Sequence, residues 1–305
     1  MTLPQAHFEP EFAPIELLPL LVPAVLYWLR ASHLAERGRP VPLWRQVSFG
    51  SGLLTIALSL VGMGAIADEL LYGHMIEHLL VGDLAAILLV LGLTGPLLQP
   101  ILAIKTFDRL RALAHPAIAL PLWAIDLYVW HIPTLYEGTL SSPALHALEH
   151  GMFIFFGCLM WMPVLGPLPK PTWFNAGWKV VYVILVRFVG TVLGNVLIWS
   201  GTVFYPVYEA SDAEHGISPL TDQGIAGAIM MGEGMIVSLA VLTWAFLKWA
   251  SDTTERQRLL DLAEARGIEL DEDRAARAVE AGQGKHLEER LRAGDPEMPD
   301  PARSG

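Results

Sequence analysis

The feature that most constrains this chain is a series of seven long apolar segments separated by short polar stretches. The segments run from about 14 to 30, 47 to 67, 76 to 103, 116 to 135, 144 to 168, 178 to 200 and 223 to 250. Each is long enough for a helix to cross a hydrocarbon core about 30 Å thick. Because backbone polar groups in lipid must be satisfied within the protein, we predict an all-α polytopic membrane protein, a bundle of seven transmembrane helices.

Composition supports a membrane class and excludes others. Of the 305 residues, 53% are hydrophobic and 17% are charged, and no basic surface indicates a nucleic-acid partner. The single cysteine, Cys158, excludes an internal disulfide and a CxxC metal or redox motif. The first 14 residues contain no Lys or Arg, so we expect the first segment to be a retained span rather than a cleaved signal peptide.

Basic residues indicate how the segments cross the membrane. They occupy alternate connections, and the other connections contain acidic residues but no Lys or Arg. The basic residues of these connections are Arg30, Arg37, Arg39, Arg45, Lys105, Arg109, Arg111, Lys170 and Lys179. Since short cytoplasmic loops are enriched in Lys and Arg, this predicts an extracytoplasmic N-terminus and a cytoplasmic C-terminus.

The same pattern divides the chain into three parts. We predict a short extracytoplasmic N-terminus at 1–13, a transmembrane domain at 14–250 and a cytoplasmic tail at 251–305. In the tail, apolar residues from Leu259 to Ala263 follow one helical face and predict one amphipathic helix. The Pro-rich end at 295–305 has too little apolar content to fold and is predicted to be disordered.

Five histidines are predicted to lie at one depth, near the outer surface. His74 and His78 begin the third span, His131 ends the fourth, and His146 and His150 begin the fifth. Residues four apart project from one helical face, so each pair can bind one ion. Interfacial histidines are the simpler reading, but polar side chains at membrane depth are costly unless they have a role. We therefore predict a metal site made of these five.

Carboxylates and methionines accompany the histidines. Glu77, Glu149 and Asp222 are expected to orient the ring N–H groups. Imidazole suits zinc, copper, iron and nickel, while thioether sulfur favours Cu(I). Methionines in the outer halves of the spans therefore favour copper. These are Met63, Met75, Met152, Met230 and Met231.

Haem is the rival ligand. Residues four apart rise only about 6 Å along a helix, too little for two stacked haems. A single haem between the third and fifth spans, bound by one histidine from each, stays open as an alternative.

Four ionisable residues are predicted to lie deeper in the bilayer. They are Asp83, Asp126, Arg187 and Glu233. An unpaired charge there is very unfavourable, so we predict that Arg187 pairs with Asp126 or Glu233. Such a pair either fixes the order of the helices or relays protons or ions from the outer site.

Several short strings resemble a known family. They are His74-Met-Ile-Glu-His78, Trp130-His131-Ile-Pro133 with Tyr136, Ser142-Pro143-Ala-Leu-His146-Ala-Leu-Glu149-His150, and Asp222-Gln223 with Gly227. Together they are similar to the seven-helix CtaG-type cytochrome c oxidase assembly factors, over about residues 15 to 250. The resemblance implies a bacterial inner-membrane protein that helps to build a haem-copper oxidase, with the five histidines and Asp222 as its functional residues.

The expected function is therefore binding or delivery of copper to cytochrome c oxidase subunits, with extracytoplasmic copper chaperones as further partners. No catalytic nucleophile is visible, so we do not expect an enzyme. Two alternatives stay open: a haem-binding membrane oxidoreductase, and a copper transporter that uses the level of Asp83, Asp126 and Glu233.

Overall fold

The structure is a computed structural model that describes residues 17–104, 110–171, 173–280 and 282–294. All regular structure in these ranges is helical. The α-helices are α1 (Leu18–Glu36), α2 (Leu43–Gly62), α3 (Gly64–Glu69), α4 (Leu71–Leu79), α5 (Ala86–Gly92), α6 (Gly95–Leu102), α7 (Leu110–Leu113), α8 (Pro116–Trp130), α9 (Pro133–Ser141), α10 (Pro143–Leu165), α11 (Ala176–Trp199), α12 (Glu209–Glu214), α13 (Pro219–Ala265), α14 (Glu272–Glu280) and α15 (Gly284–Ala293). A π-helical turn, Leu80–Ala85, joins α4 to α5, and a 3₁₀ turn, Pro206–Tyr208, precedes α12.

Five helical segments are long and apolar enough to cross a membrane. They are Leu18–Glu36, Leu71–Gly92, Pro143–Leu165, Ala176–Trp199 and Pro219–Ala265. The pair α8 and α9, bent by 70°, would make a sixth if it is one broken span. The chain is therefore an all-helical, multi-pass protein with five or six candidate spans among its described residues. The predicted second span corresponds to α2, which is not among them.

Helix boundaries differ from the predicted segments where the sequence contains Pro or a polar cap. The predicted fourth span ends early, because Ile132 adopts an extended conformation before Pro133, which begins α9. The predicted third span, 76–103, starts earlier, at Leu71, and breaks after Gly92. The predicted N-terminal part at 1–13 lies outside the described residues.

The helices that carry the histidine pairs pack closely against each other. A Cβ atom at Gly157 of α10 would clash with the carbonyl oxygen of Gly82 in the π-helical turn. This contact holds α10 against the segment that begins with α4. On its other side, that segment packs against α2 through Phe49, Ile56 and Val81.

The chain divides into two compact units, Met1–Ser238 and Leu239–Gly305. The second unit has its own small core, formed by Leu259, Ala263, Val279, Leu287 and Leu291. The face that contains Leu259 and Ala263 is therefore buried. Two helices that the sequence did not predict, α14 and α15, supply the rest of this core. The predicted disordered end at 295–305 lies outside the described residues.

Candidate metal centre

Four histidine rings from two helices form a compact box. His74 and His78 of α4 have ring centroids 4.2 Å apart, and His146 and His150 of α10 have centroids 4.3 Å apart. Across the helix pair, the distances are 5.3 Å from His74 to His146 and 5.4 Å from His78 to His150. Two pairs spaced by four residues thus become one four-ring cluster because α4 and α10 pack side by side.

Two glutamates complete the cluster. The Oε2 atom of Glu149 lies 3.5 Å from Nε2 of His78 and 3.9 Å from Nε2 of His74. On the opposite side, Oε1 of Glu77 lies 4.0 Å from Nε2 of His150. Both carboxylates are buried, at 0% and 2% exposure. We call the four histidines and these two glutamates the histidine–glutamate cluster.

The cluster contains two sets of donor atoms with metal-site spacing. His74, His78, His146 and Glu149 each offer one atom within 4.8 Å of the others, and Glu77, His146 and His150 form a second set. Donors around a tetrahedral metal with bonds of about 2.0–2.1 Å lie about 3.4 Å apart. Small movements of the side chains would therefore bring the first set to coordination distance.

Hydrogen bonding in the cluster favours a bound cation. Nε2 of His74, both ring nitrogens of His78 and Nε2 of His150 are buried and have no hydrogen-bond partner. A buried polar atom without a partner is costly, and a metal ion would satisfy the one ring nitrogen of each histidine that carries a lone pair. The donor set, imidazole with carboxylate, fits a first-row transition metal.

His131 belongs to neither donor set. Its Nδ1 atom is 2.7 Å from the carbonyl oxygen of Leu127, which places the ring proton on Nδ1. Its Nε2 atom is buried and has no hydrogen-bond partner. The structure therefore brings together four of the five predicted histidines and leaves the fifth with a separate free nitrogen.

Asp222, the third predicted carboxylate, binds backbone rather than imidazole. Its two oxygens accept hydrogen bonds from the N–H groups of Leu71 at 2.7 Å and Tyr72 at 2.9 Å. These are the first two residues of α4. Asp222 thereby fixes the start of the helix that carries His74 and His78.

Tyrosines without a predicted role lie around the His74 end of the cluster. The Tyr208 hydroxyl lies 3.4 Å from Nδ1 of His74 and 3.0 Å from the Tyr136 hydroxyl, and the Tyr205 hydroxyl donates to the His131 carbonyl at 2.9 Å. Burial raises the pKa of Tyr208 and Tyr205, which lie between spans, so both remain protonated donors. In the sequence, the string Tyr205-Pro-Val-Tyr208 between two apolar segments could have indicated these tyrosines.

Three of the four charges predicted to lie deep in the bilayer, Asp83, Arg187 and Glu233, form an ion-pair network. Arg187 donates to Oδ2 of Asp83 at 3.0 Å, and its NH1 atom lies 3.8 Å from Oε2 of Glu233. The predicted pairing of Arg187 with Glu233 is confirmed, whereas the alternative with Asp126 is wrong. Asp126 accepts a hydrogen bond from Nε1 of Trp130 at 3.0 Å, and a tryptophan of its own helix thus replaces the expected cation.

A cavity of about 60 Å³ connects the two regions. His78 and His131 line one part of its wall, and Asp83, Arg187 and Glu233 line another. The volume is enough for a few water molecules.

A family model described as cytochrome c oxidase caa3 assembly factor matches residues 25–252, about three-quarters of the chain. Comparison with curated proteins and with solved structures finds no match.

Proposed function

The chain belongs to the cytochrome c oxidase caa3 assembly factor family, and we propose that it acts there by binding copper at the histidine–glutamate cluster and supplying it to the oxidase. One observation carries this proposal: two buried ring nitrogens of α4 without hydrogen-bond partners, Nε2 of His74 and Nε2 of His78, lie within 3.9 Å of one buried carboxylate of α10, Glu149. In this role the protein holds and transfers an ion and catalyses no reaction of its own.

Copper fits the surroundings of the cluster better than haem does. The rings of α4 and α10 lie 5.3–5.4 Å apart between centroids, so they already contact one another across the helix pair. The adjoining cavity of about 60 Å³ is far smaller than the roughly 300–1,000 Å³ of pockets for larger organic ligands. A single ion needs neither a gap between the helices nor a large pocket.

The proposal includes a location and a topology. We place the protein in the bacterial inner membrane, with α2 as a seventh span beside the five long helices and the α8–α9 pair. The N-terminus lies outside, which puts the cluster at the outer surface. Oxidase subunits and extracytoplasmic copper chaperones can reach it there.

Metal analysis of purified protein tests the proposal. Wild type, His74→Ala/His150→Ala and a matched control, His33→Ala/His286→Ala, are exposed to Cu(I) or Zn(II), and bound metal is measured by mass spectrometry. The control removes two histidines outside the cluster. We expect wild type and control to retain equal amounts of copper, at least one equivalent each, and the cluster variant to retain at least one equivalent less. Wild-type protein without copper, or a cluster variant that retains as much copper as wild type, would overturn the proposal.

A further inference from the structure

The cavity beside the cluster is lined by His131, a histidine that the cluster does not use. His131 is 8% exposed, and its Nδ1–H is bonded to the Leu127 carbonyl, so Nε2 carries the lone pair. That atom is buried and has no hydrogen-bond partner. A histidine held through Nδ1 with Nε2 left open is the usual arrangement of a metal ligand.

Soft donors line the same cavity. Met75 of α4 and Met230 of α13 belong to its wall together with His78 and His131, and both methionines are buried. Methionine in a helix core usually serves packing alone. Here, however, two thioethers and two imidazoles with unpartnered nitrogens share one cavity, and this combination is the one that Cu(I) prefers over Zn(II).

We propose that the cavity is a second metal position, selective for Cu(I), formed by the imidazoles of His78 and His131 and the thioethers of Met75 and Met230. This inference rests on the proposed function, because copper reaches the cavity from the histidine–glutamate cluster through His78, which belongs to both. The transfer is an exchange of ligands with no change in oxidation state.

Anaerobic Cu(I) titration of the full-length protein, followed by X-ray absorption at the copper edge, tests this position. We expect wild type to bind about two equivalents, one in the cluster on the donor set without His78, which is Glu77 with His146 and His150, and the second in the cavity with sulfur scattering. Met75→Leu/Met230→Leu should bind about one, without sulfur scattering, and keep its Zn(II) binding. His131→Gln should weaken the second equivalent by about tenfold or more. Met160→Leu/Met162→Leu, two methionines outside the cavity wall, is the matched control.

The outcomes separate the two proposals. Wild type that binds a single equivalent without sulfur overturns the second position and leaves copper binding at the cluster intact. Wild type that binds no Cu(I) overturns both. Sulfur scattering that persists in Met75→Leu/Met230→Leu also overturns the second position. If that variant unfolds, His131→Gln decides: unchanged affinity for the second equivalent contradicts the proposal.

Discussion

The Asp222 carboxylate lies against the first turn of α4, where it accepts two backbone hydrogen bonds. Replacing Asp222 with Ala leaves those N–H groups buried without an acceptor, one turn before His74. We expect Asp222→Ala to lower the free energy of unfolding by about 1–2 kcal/mol and to weaken metal binding. Asp222→Asn keeps one acceptor oxygen and should therefore lose less stability and less metal affinity than Asp222→Ala. Thermal unfolding in detergent and metal titration measure both effects; wild-type behaviour of Asp222→Ala would contradict the capping role.

Asp212 of α12 should make stability depend on pH. It is 1% exposed and lies between spans. Burial, with the neighbouring Asp222 carboxylate, raises the pKa of Asp212 from 3.8 to about 6. A carboxyl whose pKa is raised by folding binds its proton more tightly in the folded state. The free energy of unfolding therefore falls as pH rises between about 4 and 6, and the loss persists above that range.

Asp212→Asn should abolish this fall. We expect the variant to exceed wild type in stability at pH 7.5, by on the order of 1–3 kcal/mol, and to lose that advantage near pH 4. Unfolding midpoints at the two pH values measure the difference. Glu214→Gln, which changes an exposed carboxylate of the same helix, is the control and should follow wild type. Equal pH dependence in Asp212→Asn and wild type would refute the prediction.

At the scale of residues, spacing predicted which side chains could form a site but not which ones meet. Helix geometry alone places His74 beside His78 and His146 beside His150. The meeting of the two pairs depends on the packing of α4 against α10, which periodicity does not encode. The role of Asp222 was equally hidden, because its partner Leu71 lies 151 positions away in the chain.

At the scale of elements, the close approach of α10 to the π-helical turn sets the position of the cluster. A Cβ at Gly157 would meet the Gly82 carbonyl, whereas a Cβ at Gly151 of the same helix would meet nothing within 4 Å. We expect Gly157→Ala to lower the free energy of unfolding by about 1–3 kcal/mol and to weaken copper binding by separating the helices. Gly151→Ala should change neither property adversely. Equal unfolding midpoints for the two variants would show that this contact is unimportant.

The sequence predicted the principal apolar elements but not their breaks. The 70° bend between α8 and α9 had a signal in Pro133, since the residue before a proline avoids helical geometry. The π-helical turn at Leu80–Ala85 had no such signal. A π-helical turn only adds one residue to an α-helical turn, and the apolar run continues through it without a Pro or Gly-Pro break. It carries Asp83, whose Oδ1 atom accepts from Trp161 of α10 at 2.6 Å. Such turns are common at functional sites.

At the scale of the whole molecule, the number of crossings depends on α2. Polar residues such as Arg45 and Ser48 lower the mean hydropathy of this helix, but their side chains are satisfied within the protein. Arg45 donates to the carbonyl oxygens of Leu91 at 2.9 Å and Leu93 at 2.6 Å, and Ser48 donates to Leu88. Since α2 directs these groups toward its neighbouring helix, its remaining apolar face is free to contact lipid.

Single-cysteine labelling in intact cells tests the seven-span topology. In a Cys158→Ala background, Asp68→Cys and Glu214→Cys should react with a membrane-impermeant maleimide, because we place both positions outside. Arg39→Cys and Trp173→Cys should react only after permeabilisation, since positive-inside bias places them in the cytoplasm. Positions 39 and 68 flank α2, so their opposite accessibility would establish that α2 crosses the membrane. If positions 39 and 68 are labelled from the same side, α2 does not cross the membrane and the number of spans falls to six. The N-terminus and the histidine–glutamate cluster would then lie on opposite sides of the membrane.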